Sequence, residues 1–278
     1  MKFGAHISTA KPFSDSVLRA KEIGCECMQI FANPPQRWNP SVIPVEEVAR
    51  FRELNKEAQI RPTIIHSIYL INLASENPFY YEQSIKSLID DMQKAYSIGA
   101  IGVNTHLGST KGRELDEVLL KVVMAIKQIL AATNEETLFI IENSAGAGHI
   151  IGDTIEEIGK IIQSVNSPRV KVLIDTAHAF ESGYNLRDSD ELNNFINKFD
   201  ELIDIQKLIG FHLNDSKTAL NSKHDRHADI GKGEIGLEMF KNIINHPELS
   251  HCFGILETPQ DEISWSEQLE SLRKMEEK

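Results

Sequence analysis

Eight short apolar runs alternate with helical patterns along the whole chain. The runs lie at residues 2–7, 26–31, 61–66, 100–106, 137–142, 170–175, 208–213 and 252–257. Apolar periodicity near 3.6 predicts helices at residues 14–23, 45–58, 79–98, 114–131, 153–164, 190–206, 236–245 and 264–276. Such alternation implies parallel strands joined by right-handed crossovers, and eight units favour a closed barrel over an open sheet. We therefore predict one (β/α)8 TIM-barrel domain over residues 1–278.

Length and composition exclude several classes of protein. The 278 residues are close to the length of about 250 that is typical of such a barrel. A net charge of −12 argues against a generally basic nucleic-acid coat, and three cysteines without a C-x-x-C pair argue against a disulfide framework or a thiolate zinc site. No apolar run approaches the roughly eighteen residues of a membrane span, and the first residues lack a signal peptide. We expect a cytoplasmic monomer.

Metal-ligand side chains dominate the ends of the eight apolar runs. Read in order, the residues at the end of each run or one position before it are His6, Phe31, His66, His106, Glu142, Asp175, His212 and Glu257. The following loops add His178, three residues after Asp175, and the pair Asp225 and His227. Because the carboxyl ends of barrel strands meet on one face, these side chains should share one rim.

Nine of these residues are candidate ligands, namely His66, His106, Glu142, Asp175, His178, His212, Asp225, His227 and Glu257. Any one histidine is more often a structural residue, but so many at one rim indicate a metal site. Imidazole and carboxylate without thiolate suit Zn²⁺, Mn²⁺ or Fe²⁺. Nine ligands are too many for one ion and enough for two or three, whose charge would suit a phosphate. His6 is left as a neighbour of the ligands or a substrate contact.

One glycine motif invites a different interpretation. Residues 231–236 fit G-x-G-x-x-G, the pattern of a dinucleotide-binding loop. That motif must follow an apolar strand, whereas charged residues precede it here, so a Rossmann site is rejected. We expect these glycines to fold the loop tightly over the metals, with Glu234 as a candidate cap of the next helix.

The chain resembles the endonuclease IV family (AP endonuclease family 2) nearly from end to end. The matching motifs are Gly4-Ala5-His6-Ile7-Ser8, residues 66–74 (HSIYLINLA), residues 141–146 (IENSAG), residues 174–180 (IDTAHAF), residues 212–217 (HLNDSK), Asp225-Arg226-His227 and residues 256–259 (LETP). The chain departs from the family pattern at Leu107, usually Pro, and at Ala147, usually Gln.

The resemblance implies a barrel that holds three zinc ions, with Mn²⁺ or Fe²⁺ as possible occupants of some sites. It assigns one ion to His66, His106 and Glu142, a second to Glu142, Asp175, His212 and Glu257, and a third to His178, Asp225 and His227. It further implies hydrolysis of the phosphodiester 5′ to an abasic site in double-stranded DNA, which yields a 3′-hydroxyl and a 5′-deoxyribose phosphate. Glu142 is the residue expected to be essential for catalysis.

The resemblance also implies how damaged DNA is recognised. Tyr69 and Leu70 resemble a wedge that enters the minor groove, and Arg37 lies in a loop that enters the duplex; packing over the barrel is the alternative for Tyr69 and Leu70. Eight basic residues in strand-exit loops should offset the acidic outer helices, namely Arg37, Lys111, Arg113, Arg187, Lys217, Lys223, Arg226 and Lys232.

Two other functions are compatible with a barrel of this kind. A sugar isomerase or epimerase also binds divalent metals at this rim, but it needs only one or two ions and a proton-transferring Lys or Glu pair. No strand of this chain ends in Lys. A non-catalytic nucleic-acid binder would not need nine metal ligands.

Overall fold

The computed structural model describes residues 1–277 and contains a closed barrel of eight parallel strands. The barrel strands are β1 (Lys2–Ile7), β2 (Cys27–Phe31), β3 (Thr63–His66), β4 (Gly102–Thr105), β5 (Leu138–Glu142), β6 (Val170–Asp175), β7 (Leu208–His212) and β10 (Phe253–Leu256). Strand β1 pairs with both β2 and β10, which closes the barrel. The predicted (β/α)8 fold is confirmed.

Helices follow the strands in the predicted alternation. They are α1 (Asp15–Glu22), α2 (Val45–Ala58), α3 (Pro78–Ile98), α4 (Leu115–Ala131), α5 (Ile155–Val165), α6 (Thr176–Ser182), α7 (Ser189–Ile203), α8 (Leu237–Asn245) and α9 (Trp265–Met275). Short 3₁₀ turns lie at Ala147–His149, Ile205–Lys207 and Pro247–Leu249.

Two segments that lie between a predicted strand and the next predicted helix, residues 176–189 and 214–235, were expected to be loops but contain regular structure. Helix α6 occupies the start of the predicted loop 176–189, because Asp175 ends β6 and also caps this helix by accepting a hydrogen bond from the backbone N–H of His178. The predicted loop 214–235 contains two short antiparallel strands, β8 (Asp215–Ser216) and β9 (His227–Ala228). Elements this short carry too little periodicity to be predicted.

The interior of the barrel has an apolar layer with a polar layer above it. The apolar layer is built by Cys27, Ile64, Ile140, Leu173, Phe253 and Ile255. Side chains two residues apart on a strand point to the same face, so the next inward residues after Ile64, Ile140 and Leu173 are His66, Glu142 and Asp175. Alternation along the strands therefore places the candidate ligands directly on top of the apolar layer.

The main core lies between the strands and the outer helices. Helix α5 is representative: Thr154 caps its first turn through the backbone N–H of Glu157, and Ile155, Ile158 and Ile162 are buried on one face. Among the residues described, none of the helices has both the length and the apolar character needed to cross a membrane.

Candidate metal centre

The ends of the barrel strands form the floor of a cavity of about 1260 Å³. Eight of the polar residues on this floor are His6, His66, His106, Glu142, His178, Asp225, His227 and Glu257. Asp175 and His212 lie just beneath them and are fully buried. The loops after β1 and β2 form one wall of the cavity, and Tyr69 is part of its rim. All nine predicted ligands therefore lie in one region of the protein.

The candidate ligand atoms fall into three groups, in each of which all atoms lie within 4.8 Å of one another. The groups are His66, His106 and Glu142; Glu142, Asp175, His212 and Glu257; and Asp175, His178 and His227. The first two match the sets that the family resemblance implied. The third contains Asp175 in place of Asp225, but an Asp225 carboxylate oxygen lies 3.4 Å from Nε2 of His178 and another lies 3.4 Å from Nε2 of His227.

Glu142 stands at the centre of the first two groups. Its carboxylate lies 3.0 Å from Nδ1 of His212, 3.3 Å from Nε2 of His66 and 3.6 Å from Nε2 of His106. The side-chain amide of Asn104 donates a further hydrogen bond to it. Burial alone would raise the pKa of Glu142, but His106 and His212 hold it well below its usual value. The carboxylate is therefore ionised at neutral pH.

In four of the five candidate histidines, one ring nitrogen lies within hydrogen-bond distance of an oxygen acceptor. Nδ1 of His66 lies 2.7 Å from the Ser67 carbonyl oxygen, Nδ1 of His178 lies 3.2 Å from that of Asn143, Nδ1 of His227 lies 3.4 Å from that of Glu257, and Nε2 of His212 lies 3.0 Å from the Gln29 side-chain oxygen. Each contact fixes the ring and leaves the opposite nitrogen facing the carboxylates. This second contact is characteristic of metal-binding histidines.

The donor set fits divalent metal ions. Nε2 of His178 and Nε2 of His227 face each other at 3.4 Å beside the Asp225 carboxylate, and the buried Nδ1 of His106 has no hydrogen-bond partner. Burial would lower the pKa of His178, but Asp175 and Asp225 raise it well above its usual value. Such converging nitrogen and oxygen ligands without sulfur suit zinc and similar first-row ions.

Glu257 completes the second group of candidate ligands. Burial would raise its pKa, but His212 and His6 lower it. The pKa of His212 is in turn raised to about 9, because Glu257 and Glu142 outweigh the opposing effect of burial. Nδ1 of His6 lies 2.8 Å from Glu257 Oε1, so His6 is a neighbour of a candidate ligand and belongs to none of the three groups.

Four side-chain amides that the sequence analysis did not single out hold the candidate ligands in place. Asn104 donates to Glu142, and Gln29 donates to Glu257 Oε1 at 2.5 Å. Asn143 binds the backbone N–H of Asp175 at 2.6 Å, and Asn214 links the Asp175 carboxylate to the backbone N–H of Glu257, with both distances at 2.8 Å. Polar residues at inward positions of otherwise apolar strands were the available signal for Gln29 and Asn104.

Sequence comparisons identify the family. The sequence model of the xylose isomerase-like TIM barrel family matches residues 17–275. A probable endonuclease 4 of Chlorobium phaeobacteroides is 38% identical over 277 residues, which cover 99% of this chain and 97% of that protein. The chain belongs to the endonuclease IV family. A second probable endonuclease 4, from Halothermothrix orenii, is 37% identical over 261 residues and covers 94% of each chain.

Solved structures agree with this assignment. Endonuclease IV from Thermus thermophilus superimposes with a TM-score of 0.88 at 30% identity, covering 99% of this chain and 98% of that one. A D-tagatose 3-epimerase-like protein superimposes with a TM-score of 0.74 at only 18% identity, over 99% of this chain and 96% of that one. The second likeness shows the shared barrel fold alone. The resemblance to endonuclease IV is therefore confirmed.

In this endonuclease IV family member, the predicted wedge residues project from the rim. Tyr69 and Leu70 are 62% and 36% exposed. The Tyr69 ring packs edge-on against Phe31, with 5.5 Å between ring centroids, and its backbone N–H donates to the Pro35 carbonyl at 2.9 Å. Arg37 is exposed in the neighbouring loop. Of the three predicted DNA contacts, Tyr69 lines the cavity, whereas Leu70 follows it in the chain and Arg37 lies two residues after Pro35, which also lines the cavity.

The eight basic residues of the strand-exit loops provide fewer unpaired positive charges than the sequence suggested. Four of them form ion pairs, namely Arg113 with Glu76, Lys217 with Asp261, Lys223 with Asp153, and Lys232 with Glu262. Exposed pairs of this kind are weak, so they can open when a phosphate approaches. The loops nevertheless present fewer uncompensated cations than a count of residues predicts.

The glycine motif at residues 231–236 surrounds a buried carboxylate. Asp215 accepts hydrogen bonds from the backbone N–H groups of Gly231, Gly233, Ile235 and Gly236, at 2.9 to 3.3 Å. The expected tight loop is present, and the Asp215 carboxylate lies at its centre. Glu234 does not cap α8: the capping position is Gly236, which has no side chain to do so.

Proposed function

We propose that this chain is a metal-dependent apurinic/apyrimidinic endonuclease of base-excision DNA repair. Water would be added across the bond between phosphorus and the 3′-oxygen on the 5′ side of an abasic site, giving a 3′-hydroxyl and a 5′-deoxyribose phosphate. The observation that carries this proposal is the convergence of nine histidine, aspartate and glutamate side chains on one cavity in a member of the endonuclease IV family. One chain supplies all nine, so we propose that it acts as a monomer and, given its DNA substrate, inside the cell.

We propose that the nine residues hold three divalent ions, with zinc preferred and Mn²⁺ or Fe²⁺ accepted. The three groups of ligand atoms and the outward contacts of the histidines support this assignment. Bound divalent ions lower the pKa of water and neutralise charge on a phosphate, which is the chemistry that phosphodiester hydrolysis requires.

Hydrogen bonds from neighbouring amide side chains fix the orientation of the candidate ligands. Asn104 fixes the Glu142 carboxylate, and Asn214 fixes that of Asp175. These hydrogen bonds mean that the ligands need little rearrangement when substrate binds, and preorganisation of this kind is a large part of catalysis. Glu142 is proposed to be indispensable because it belongs to two ligand groups at once.

Recognition of the lesion is assigned to the rim. Tyr69 and Leu70 are proposed to enter the minor groove and unstack neighbouring bases, and Arg37 to contact the backbone. Unstacking is least costly where a base is already missing, so deformability would select the abasic site. The exposure of the three side chains, and the position of Tyr69 in the lining of the cavity, support the proposal.

A sugar isomerase or epimerase is less well supported. The solved epimerases and isomerases that resemble this chain do so at 13 to 18% identity, which indicates a shared fold and carries no argument about substrate.

The direct test is incubation of the purified protein with a labelled duplex that contains one abasic analogue. We expect a single nick immediately 5′ to the analogue, with a 3′-hydroxyl that a polymerase can extend, and no nick in the matched undamaged duplex. Nicking on the 3′ side, or equal nicking of both duplexes, would contradict the proposal. Interconversion of a ketohexose without DNA cleavage would favour the alternative.

A further inference from the structure

The loop between β2 and α2 has no helix or strand of its own. Residues 32–44 connect Phe31 to the start of α2 and include the exposed Arg37. Loops of about this length without regular structure are uncommon and need side chains to hold them. Asn33 is the buried polar residue of this loop, with only 6% of it accessible to solvent, whereas residues 34–44 are exposed or half-buried.

The Asn33 side chain binds four partners. Its nitrogen Nδ2 donates to Asp90 at 2.8 Å and to Asp91 at 2.7 Å. Its oxygen Oδ1 accepts from the backbone N–H of Ser41 at 2.7 Å and from the Lys94 ammonium at 2.6 Å. The amide thereby uses both donors and both acceptor positions. One side chain connects the two ends of the loop to each other and to helix α3.

On helix α3, Asn33 binds a cluster of three charged residues, namely Asp90, Asp91 and Lys94. Asp91 is 1% exposed and its second oxygen has no hydrogen-bond partner, while Lys94 pairs with Asp90 at 2.7 Å. A buried carboxylate with an unsatisfied oxygen is costly to retain, and an apolar contact could fasten a loop more cheaply. A polar anchor, in contrast, permits one orientation of the loop, because each hydrogen bond has a fixed direction.

The anchored loop is in contact with the predicted wedge. The carbonyl oxygen of Pro35, two residues after Asn33, accepts a hydrogen bond from the backbone N–H of Tyr69 at 2.9 Å. Further along the loop, the Trp38 ring stacks on Tyr80 of α3, with 6.4 Å between centroids and 26° between the rings. A shift of the loop at Asn33 would therefore move Arg37 and remove a contact from Tyr69.

We propose that Asn33, supported by Asp91 and Lys94, is a positioning residue that holds the loop 32–44 so that Arg37 and Tyr69 meet damaged DNA together. This inference rests on the proposed function and extends it to a residue at the edge of the cavity whose side chain bonds to none of the candidate metal ligands. Asn33 sets the affinity for the lesion and leaves the rate of the hydrolytic step unchanged.

The test exchanges donor and acceptor within the cluster. Asn33→Asp removes the donor and places a third carboxylate against Asp90 and Asp91, which should displace the loop. Asp91→Asn keeps an oxygen that can accept from Asn33, so its effect should be small. The double variant, Asn33→Asp with Asp91→Asn, restores a donor and acceptor pair in the opposite sense. Recovery in the double variant is an effect that general destabilisation cannot produce.

We expect Asn33→Asp to raise the Kd for a duplex with one abasic analogue by about tenfold or more, with kcat at saturating DNA within about twofold of the parent. Metal content should be unchanged. The double variant should return Kd to within about threefold of the Asp91→Asn value. Asn55→Asp is the matched control, because Asn55 is also buried and donates to Thr63, but lies near the carboxyl-terminal end of α2, opposite the end at which this loop joins the helix. The Kd of this variant should equal that of the parent.

If Asn33→Asp does not fold, Asn33→Ala removes the same hydrogen bonds without adding a charge and should change Kd in the same direction. The inference is overturned if these variants bind the lesion as the parent does, if kcat falls while Kd is unchanged, or if the double variant is no better than Asn33→Asp. A parent protein that does not nick abasic DNA would refute the proposed function, whereas a nicking parent with an unaffected Asn33 variant would refute only this inference.

Discussion

The Asp175 carboxylate binds the backbone of His178 with one oxygen and faces two histidine rings with the other. Oδ1 accepts from the His178 backbone N–H at 3.0 Å, while Oδ2 lies 3.8 Å from His178 Nδ1 and 3.4 Å from His227 Nε2. The family resemblance assigns Asp175 and His178 to different ions. Asp175 in fact belongs to two of the three ligand groups, so the separation between the two roles is less sharp than the sequence suggested.

Replacing Glu142 by Gln should abolish cleavage and preserve the fold. The carboxylate contacts three histidines, and an amide would offer a weaker and uncharged ligand to two groups at once. A loss of several kcal/mol of transition-state stabilisation corresponds to a fall in kcat/KM of about a thousandfold or more. Nicking assays and circular dichroism measure the two effects. Glu201→Gln on the exposed face of α7 is the matched control, and near-parental turnover by Glu142→Gln would refute its assigned role.

Replacing both Tyr69 and Leu70 by Ala should weaken lesion binding and reduce DNA bending. Loss of the wedge should cost about 1–3 kcal/mol, which raises Kd by about fivefold to about 150-fold. Fluorescence energy transfer between the duplex ends reports the bend, and anisotropy reports Kd. The control pair is Tyr96→Ala with Leu120→Ala, whose side chains are 48% and 72% exposed on outer helices. A wedge variant that bends and cleaves abasic DNA like the parent would show that Tyr69 and Leu70 only pack over the barrel.

Replacing Asp215 by Asn should destabilise the protein, because the buried carboxylate accepts hydrogen bonds from several backbone N–H groups of the glycine-rich loop. We expect the free energy of unfolding to fall by about 3 kcal/mol, measured from urea unfolding curves. Gly233→Ala should behave similarly, since its Cβ would lie 2.3 Å from the Ser216 carbonyl oxygen. The exposed Asp190→Asn serves as the control. An unchanged urea midpoint in both variants would contradict this account of the motif.

As the pH rises, the free energy of unfolding of the parent should decrease more than that of the Asp91→Asn variant, which has no carboxyl group at this position. Burial raises the pKa of Asp91 to about 7 and Asp90 contributes, against the opposing effects of Asn33, Lys94 and His66. The folded state thus holds a proton that the unfolded state, with a pKa of 3.8, has released. Stability is therefore lost between about pH 4 and pH 7, by up to about 4 kcal/mol. Urea unfolding at several pH values measures the difference between parent and variant, and a difference independent of pH would contradict the prediction.

The barrel and the positions of the candidate ligands could be predicted from sequence because both follow from simple alternation. An apolar run that ends in His66, Glu142 or Asp175 shows where a strand ends and which way its last side chain points. Long helices such as α3 were predicted from their apolar periodicity. Helix α6 was not, because its seven residues begin directly at the end of β6.

The supporting contacts could not be predicted, because they depend on which chain segments meet. Asn104 and Asn214 are common residue types whose partners lie on other strands. The ion pair of Lys217 with Asp261 joins positions 44 residues apart and cancels a charge that the sequence suggested was free. Asn33 likewise acquires its importance only from the distant residues of α3 that surround it.

The central claim is that the nine converging ligands hold the metal ions that make this protein cleave DNA at abasic sites. The most direct measurement combines elemental analysis of the purified protein with a nicking assay before chelation, after chelation, and after the addition of Zn²⁺, Mn²⁺ or Fe²⁺. We predict about three divalent ions per chain, loss of nicking with loss of metal, and recovery when metal is restored. Active protein with fewer than two ions per chain, or nicking that a chelator does not affect, would contradict the account.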